Sequence, residues 1–183
     1  VEGISWWDAL EYCNKLSEKY NLKPVYDLSK KEKSILKINQ LNEDSKYPSI
    51  ADFRKTEGFR LPTELEWEWF AKGGEVAIQD GTFNFKYSGS KNIDEVAWYG
   101  DNSGNQTHNV GMKKTNQLGL YDCSGNVWEW CCDGVAYDES KLNRRIRGGA
   151  WNYSSDFCDI LCRNYMQSTF NINYIGFRIV RTI

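Results

Sequence analysis

The last part of the chain opens with the stretch Arg147-Gly148-Gly149-Ala150-Trp151 and closes with Gly176-Phe177-Arg178. Between them, residues 152–165 contain no Lys, Glu, Gln, Met or Trp, although all five types occur upstream. The interior of this stretch follows neither the period of a helix nor that of a strand. We therefore interpret it as a displayed surface, and the rest of the chain as the scaffold that holds it.

The composition is that of one globular domain. The 183 residues suffice for a substantial core, and we assign residues 1–183 to a single domain. The net charge of −2 gives no global attraction to nucleic acid or a membrane. No apolar run reaches the length of about 20 residues that a transmembrane helix needs. Because the chain begins at Val1 without a visible signal peptide, we expect a mature or excised fragment.

Capping signals and apolar spacing predict two short helices. The first spans residues 5–20, with Ser5 as its N-cap. The second spans residues 63–72, where Thr63 and Glu66 form a capping box and Gly73 is the stop signal. We interpret the three acids of this second helix as a solvated first turn matched to the helix dipole; they are Glu64, Glu66 and Glu68.

Three strands are predicted to form a small antiparallel sheet. The first covers residues 127–131, and the other two, at 145–151 and 175–181, pair antiparallel across the displayed segment. Residues 81–119 are rich in Gly, Asn and Ser and predict long ordered loops. Residues 23–55 are predicted to be mostly loop, with one short helix as the alternative for part of them.

The six cysteines match no zinc spacing. Free buried thiols are the first expectation and a disulfide is the alternative. Cys131 and Cys132 are adjacent on a predicted strand, so one should be buried and the other accessible. In the displayed segment, alternation predicts that Cys158, Ile160 and Cys162 point inward.

Four stretches in this order resemble the formylglycine-generating-enzyme, or sulfatase-modifying-factor, family. They are Gly58–Glu68, Gly119–Trp130, Arg147–Trp151 and Gly176–Arg178. The resemblance covers nearly the whole chain and implies an α+β fold, a divergent C-type lectin fold with long ordered loops. It also implies a set of scaffold residues within the displayed segment, of which we expect Trp151 and Phe177 to be core: Gly148, Gly149, Trp151, Arg163, Gly176, Phe177 and Arg178.

The chain departs from the family at the positions that carry its known chemistry. The enzymes of the family hold copper on two cysteines five residues apart, and the matching positions here are Tyr153 and Cys158. One thiolate cannot supply a two-sulfur Cu(I) site. A second branch holds iron on several histidines, whereas this chain has only His108, which we interpret as a loop hydrogen-bonding residue. We therefore expect no catalytic residues and no required cofactor.

One metal site is implied by the family. Asp122 and Glu129 would supply side-chain oxygens for calcium, and Gly125 and Val127 would supply carbonyls. The alternative is that Asp122 caps the turn and Glu129 accepts hydrogen bonds from loop amides.

The displayed segment also resembles the variable proteins of diversity-generating retroelements, treponemal ones in particular. Every residue from 152 to 165 is reachable from an Asn codon by changing its adenines. The resemblance implies a variable region of about 147–178. We expect ten residues to face solvent and bind ligand: Tyr153, Ser155, Phe157, Asp159, Leu161, Asn164, Tyr165, Phe170, Asn171 and Asn173.

These observations lead to one main hypothesis and two alternatives. The chain is expected to be a non-catalytic, monomeric binding module for a protein or glycan. It would be displayed outside a bacterial cell as a lipoprotein, with no nucleic-acid partner and with membrane contact only through an upstream lipid anchor. The alternatives are a divergent enzyme of the formylglycine-generating type and a structural domain of a larger surface protein.

Overall fold

A computed structural model describes residues 2–28, 37–38, 43–44, 47–51, 53, 56–134 and 143–182. The architecture is α+β, with a small sheet, short helices and long ordered loops. In the described part of the chain, no helix is both long enough and apolar enough to cross a bilayer.

Helix α1 (Trp6–Lys19) confirms the first helix prediction. Ser5 accepts the backbone N–H of Asp8, and the Asp8 carboxylate accepts the backbone N–H of Ser5, at 3.1 Å. This reciprocal cap fixes the start of the helix. Its buried stripe, formed by Trp6, Ala9, Leu10 and Cys13, belongs to the largest core cluster.

Helix α2 (Glu64–Ala71) confirms the second, with Thr63 and Glu66 as its capping box. Two more helices were not predicted: α3 (Gly74–Gln79) and α4 (Ile93–Val96). Gly73 has a φ of 88°, so it does end α2, but the chain then turns directly into α3. A glycine stop signal cannot tell whether a second helix follows.

Ten strands are described, six of them in three two-stranded pairs. Two pairs are β1 (Tyr26–Asp27) with β2 (Lys37–Ile38), and β3 (Glu43–Asp44) with β4 (Tyr47–Ala51). The third is β5 (Phe59–Arg60) with β10 (Val180–Arg181). These strands lie partly in the region 23–55 predicted as loop, whose other residues lie largely outside the described ones.

The main sheet has four strands in the order β8 (Arg163–Gln167), β7 (Asn143–Arg147), β6 (Trp128–Gly134) and β9 (Ile175–Gly176). The β8–β7 and β7–β6 pairs are antiparallel, whereas β9 is parallel to β6.

The predicted pairing of 145–151 with 175–181 is therefore wrong. The antiparallel partner of β7 across the displayed segment is β8, which lies inside the part of the segment predicted to be irregular. β7 stops at Arg147 because Gly148 and Gly149 adopt φ values of 97° and 78°, which no strand accommodates. The region 175–181 is divided between two sheets, β9 beside β6 and β10 beside β5.

Both faces of β6 are covered. Trp128, Trp130 and Cys132 pack into the cluster that contains α1, whereas Cys131 packs into a second cluster with Trp67 of α2. The prediction that one of Cys131 and Cys132 is accessible is therefore wrong, because a central strand buries its two sides alike. All six cysteines are free thiols, and only Cys162 is not fully buried.

Residues near the two ends of the described chain are hydrogen-bonded to each other. The backbone N–H of Gly3 donates to the carbonyls of Ile172 and Ile175, at 3.2 and 3.1 Å. The N–H of Trp6 donates to the carbonyl of Ser168 at 3.1 Å. The loop 168–175 is thus fixed at both ends by residues 3–6.

Candidate binding face and its support

The displayed segment leaves the sheet through two glycines in the left-handed region. A Cβ on Gly149 would lie 2.7 Å from Sγ of Cys158 and 2.8 Å from the carbonyl oxygen of Phe157. Only glycine allows the chain to approach itself this closely with a φ of 78°. The Arg-Gly-Gly stretch therefore folds the following residues back against the scaffold.

The segment is then held by its main chain. The carbonyl of Trp151 accepts Oγ–H of Ser103, and the carbonyl of Tyr153 accepts N–H of Gly100, both at 2.8 Å. The carbonyl of Cys158 accepts Oγ–H of Ser124 at 2.8 Å.

Ile160 is held at both of its backbone polar groups. Its N–H donates to the carbonyl of Lys86 at 3.0 Å, and its carbonyl accepts Nη2–H of Arg147 at 2.6 Å. These contacts and those of residues 151–158 use backbone atoms of the displayed segment, so they do not depend on which side chains it carries.

Asn126 hydrogen-bonds to two loop residues, Trp98 and His108, and to Trp151 of the displayed segment. Its N–H donates to the carbonyl of Trp98 at 2.7 Å, and its carbonyl accepts N–H of Trp151 at 2.9 Å. Its side-chain amide pairs with both backbone polar groups of His108, each at 3.1 Å. Asn126 is buried and has a φ of 63°, a conformation that asparagine tolerates better than most residues.

His108 lies in this support, as a loop hydrogen-bonding residue. Its ring stacks on Trp98 with the centroids 3.8 Å apart, and its Nε2 lies 2.8 Å from the carbonyl oxygen of Ser103.

Six of the ten predicted ligand-binding residues are exposed. They are Phe157, Leu161, Tyr165, Phe170, Asn171 and Asn173, with Leu161 the most exposed of the large apolar ones at 59%. The other four, Tyr153, Ser155, Asp159 and Asn164, are half-buried, which corrects their assignment as fully solvent-facing.

Tyr153 shows why. Its ring packs edge-on against Trp128, Phe157 and Tyr174, with centroid distances of 5.5, 5.1 and 5.7 Å. The Tyr153 ring therefore lies between the buried Trp128 and the exposed Phe157 and contacts both. Cys158 and Ile160 are buried as predicted, but neither lies in a strand: Cys158 ends a turn of 3₁₀ helix (Ser155–Cys158), and Ile160 packs with Trp67 and Cys131.

The predicted core residues Trp151 and Phe177 are only half-buried. Trp151 donates its indole N–H to the carbonyl of Asn173 at 3.4 Å, and Phe177 packs edge-on against Tyr12. Both residues therefore lie between the buried core and the exposed side chains of the displayed segment. Arg163, also assigned to the scaffold, is about half exposed.

Arg147, the last residue of β7, is fully buried and is absent from the scaffold residues predicted above. Its guanidinium pairs with Glu64 at 3.0 Å and with Glu68 at 2.9 Å. Arg147 has a side-chain exposure of 0%. Burial lowers the pKa of this guanidinium, and the two carboxylates oppose that effect.

The prediction of a solvated acidic first turn is therefore wrong. Glu64 and Glu68 are mostly buried against Arg147, and Glu66 forms a two-pronged pair with Arg60 at 2.6 and 2.7 Å. The sequence shows that these acids begin a helix. The position of β7 in the structure shows that Glu64 and Glu68 also neutralise Arg147.

The position that corresponds to the family's copper site does not hold a reactive thiol. Cys158 is fully buried, and this burial raises the pKa of its thiol to about 12. The other matching position is occupied by the Tyr153 ring described above. At neutral pH this thiol is protonated in the metal-free protein, whereas the thiolate is the form that acts as a nucleophile.

The residues implied for calcium fit the ion poorly. Both oxygens of Glu129 are engaged by Arg178, with Nε and Nη2 each at 2.6 Å, and Nε1–H of Trp67 donates to one of them at 2.7 Å. Asp122 does present one buried oxygen without a hydrogen bond, while the other accepts N–H of Gly111. The guanidinium of Arg178 already supplies the positive charge at Glu129.

Comparisons with known proteins agree with this fold. The profile of the sulfatase-modifying factor enzyme 1-like domain matches residues 1–183. The chain is similar to chaperone protein LppX of Paenibacillus barcinonensis, at 40% identity over 179 residues, covering 87% of this chain and 61% of that protein. It is also similar to the formylglycine-generating enzyme of Mycobacterium tuberculosis, at 26% identity over 174 residues, covering 73% of this chain and 54% of that protein. The chain thus spans less than two thirds of either relative.

Among solved structures, Treponema denticola variable protein 1 superposes with a TM-score of 0.73 and 35% identity, covering 98% of this chain and 69% of that one. The α+β C-type-lectin-like fold, expected from the four sequence stretches, is thereby confirmed, as is the likeness to a variable protein, expected from the residue types of 152–165. On the match of residues 1–183, this chain belongs to the sulfatase-modifying factor enzyme 1-like family.

Proposed function

We propose that the chain is a non-catalytic ligand-binding domain, whose region of about 147–178 carries a surface diversified by a retroelement. The observation that carries this proposal is the attachment of the displayed segment through its main chain. Ser103, Gly100, Ser124 and Lys86 all bind backbone atoms of the segment. Exchange of the outward side chains therefore leaves these hydrogen bonds in place.

The exposed side chains have the mixture that suits a binding surface. Phe157, Tyr165 and Phe170 offer large, rigid contact areas, and Asn171 and Asn173 offer adaptable hydrogen bonding. Paratopes use this combination because aromatic rings lose little conformational entropy on binding. The ligand would be a protein or a glycan bound by a monomer, with no nucleic acid involved.

The enzyme alternative receives less support. Tyr153 stands at one of the two copper positions, and the Cys158 thiol at the other is buried with a raised pKa. The relatives include a protein named as a chaperone and one named as a variable protein, although formylglycine-generating enzymes are also similar. No oxidation of a cysteine-containing sulfatase peptide is expected, with or without added copper, and formylglycine detected by mass spectrometry would overturn this part.

Display on a bacterial surface as a lipoprotein belongs to the same proposal. Its support is the similarity to a Treponema variable protein. The gene's neighbourhood tests the diversification directly. A near-copy of its 3′ end, with adenines at the differing sites and a reverse transcriptase beside it, is expected.

A randomised library tests the binding face. The six exposed positions, Phe157, Leu161, Tyr165, Phe170, Asn171 and Asn173, would be varied together, and a matched library would vary six buried positions of similar size. Surface exchanges usually shift stability by within about 0.5 kcal/mol, whereas core truncations cost roughly 2–5 kcal/mol. Most face variants should stay folded and yield binders to different targets. If face variants unfold as often as core variants, the segment is core and the proposal fails.

A further inference from the structure

Two arginines at the displayed segment, Arg145 of β7 and Arg163 of β8, make only long contacts to carboxylates among the described residues. In the strand register, Arg147 lies opposite Arg163 and Arg145 lies opposite Tyr165. These four side chains therefore project from one face of the β7–β8 pair. Arg147 is buried there against α2, while Arg163, at the edge strand, has about half of its side chain in solvent.

The positive charge of this cluster exceeds its negative charge. Among the described residues, Lys72, Arg145, Arg147 and Arg163 share the carboxylates of Glu64 and Glu68. Arg147 takes the short contacts, at 3.0 and 2.9 Å. The Asp133 carboxylate accepts the backbone N–H of Glu64, and with Asp133 included the four cations still outnumber the three carboxylates.

The two outer arginines receive only distant contacts. Nε of Arg145 lies 3.8 Å from Glu64, and Nε of Arg163 lies 3.4 Å from the same residue. The side chain of Arg145 is 17% exposed and that of Arg163 is 51% exposed, and neither approaches Glu64 or Glu68 more closely than 3.4 Å. A guanidinium fork with free donors is matched by the two oxygens of a carboxylate.

Apolar side chains flank the same place. Leu161 and Tyr165 lie two residues before and two residues after Arg163, and they are 59% and 44% exposed. A partner that fits here carries carboxylates with apolar residues between them.

We propose that Arg163, assisted by Arg145, anchors a carboxylate of an acidic, partly apolar peptide segment of the partner protein. This inference rests on the proposed binding function and names the chemistry of the partner. It places one specificity-determining contact at the border of the displayed segment, in the part of the face nearest to α2.

The probe is a fluorescent peptide of alternating Glu and Leu, compared by anisotropy with a peptide of alternating Gln and Leu. The acidic peptide should bind the domain about tenfold more tightly, as one charge-assisted two-pronged contact would give. Its affinity should fall as salt rises from about 0.02 to 0.2 M, because screening weakens exposed charge pairs.

Arg163→Ala should abolish this preference for the acidic peptide, and Arg163→Lys should restore only part of it, because lysine keeps the charge and loses the fork. Arg181→Ala is the matched control, since Arg181 is an exposed arginine of β10 whose guanidinium donates to the carbonyl of Glu57 at 3.0 Å. It should bind like the parent protein. Melting curves of all three variants establish that they are folded, and Arg163→Lys carries the comparison if Arg163→Ala does not fold.

Equal affinity for the two peptides, or equal weakening by Arg163→Ala and Arg181→Ala, would overturn the inference. Displacement of the acidic peptide by inorganic phosphate at matched concentration would likewise assign the site to small anions instead. The proposed function fails separately, through unfolding of the face library, and it survives if the face binds partners without acidic residues.

Discussion

The backbone N–H of Gly100 donates to the carbonyl oxygen of Tyr153 at 2.8 Å, and a Cβ at position 100 would lie 3.1 Å from that same oxygen. The loop that precedes the family's Gly-Asn-Val-Trp stretch therefore lies directly against the main chain of the displayed segment. This loop and the guanidinium of Arg147, on strand β7, both bind backbone carbonyls of the displayed segment and hold its main chain in place.

Exposed and buried neighbours in the segment should differ sharply in their effect on stability. Leu161→Ala should change the free energy of unfolding by within about 0.5 kcal/mol, because Leu161 is mostly in solvent. Ile160→Ala, one residue away, should cost roughly 2–5 kcal/mol because Ile160 is buried with Cys131 and Trp67. Urea denaturation of both variants measures the difference, and similar losses would contradict the assignment of faces.

Asn126 should contribute through its side chain and its backbone in separable amounts. Asn126→Gly keeps the left-handed φ of 63° and removes the amide that pairs with His108, so it should cost about 1–3 kcal/mol. Asn126→Ala should cost about 1 kcal/mol more, since alanine is strained in this conformation. Equal stability of the two variants in chemical denaturation would show that the backbone conformation carries no strain.

Removal of Arg147 should be among the most damaging single changes. Arg147→Ala leaves Glu64 and Glu68 mostly buried without their short partner, and breaking a buried pair costs roughly 3–5 kcal/mol. Arg163→Ala removes a half-exposed partner of the same acids and should cost no more than about 1 kcal/mol. Thermal melts that rank the two variants in the reverse order would refute this picture of the cluster.

Asp133 should make the protein less stable as pH rises. Burial raises its pKa from 3.8 to about 6, with Glu64 adding to the effect. The folded state therefore binds its proton more tightly than the unfolded state, and stability is lost as pH rises between these values. Asp133→Asn should gain up to about 3 kcal/mol relative to the parent between pH 4 and pH 7. A difference in melting temperature that stays constant over this range would show that Asp133 is not perturbed.

Calcium should have little effect on folding, because Arg178 occupies both oxygens of Glu129. Neither millimolar calcium nor a chelator should move the melting temperature by more than about one degree. Binding to the folded state at 100 times the dissociation constant would add about 2.7 kcal/mol, which a melting curve detects readily. A rise of that size, lost in Asp122→Asn, would restore the family's calcium site to this chain.

The features that the sequence predicted well are local ones. The capping boxes at Ser5 and Thr63 need only neighbouring residues, and they appear as predicted. The stretch Arg147–Trp151 located part of the scaffold because its shape is imposed by its own glycines, as at Gly149.

The features that it missed depend on partners far away in the chain. β8 reads as a polar, irregular stretch because it is an edge strand whose side chains alternate only between exposed and half-buried. The sequence predicts that Tyr153 faces solvent, because its neighbours in the sequence do not reveal that the rings of Trp128 and Tyr174 pack against its own. The burial of Arg147 likewise follows from α2 packing on β7, a contact between residues about 80 positions apart.

The hydrogen bonds that tie residues 3–6 to the loop 168–175 have a consequence for synthesis of the protein. The central strand β6 remains without its neighbour β9 until residues 175–176 have left the ribosome, and residues 3–6 wait for the same event. Long-range pairings of this kind form late and slow the folding of a domain. The displayed segment is thus completed only after translation of nearly the entire domain, so a nascent chain stalled before residue 168 cannot form it in full.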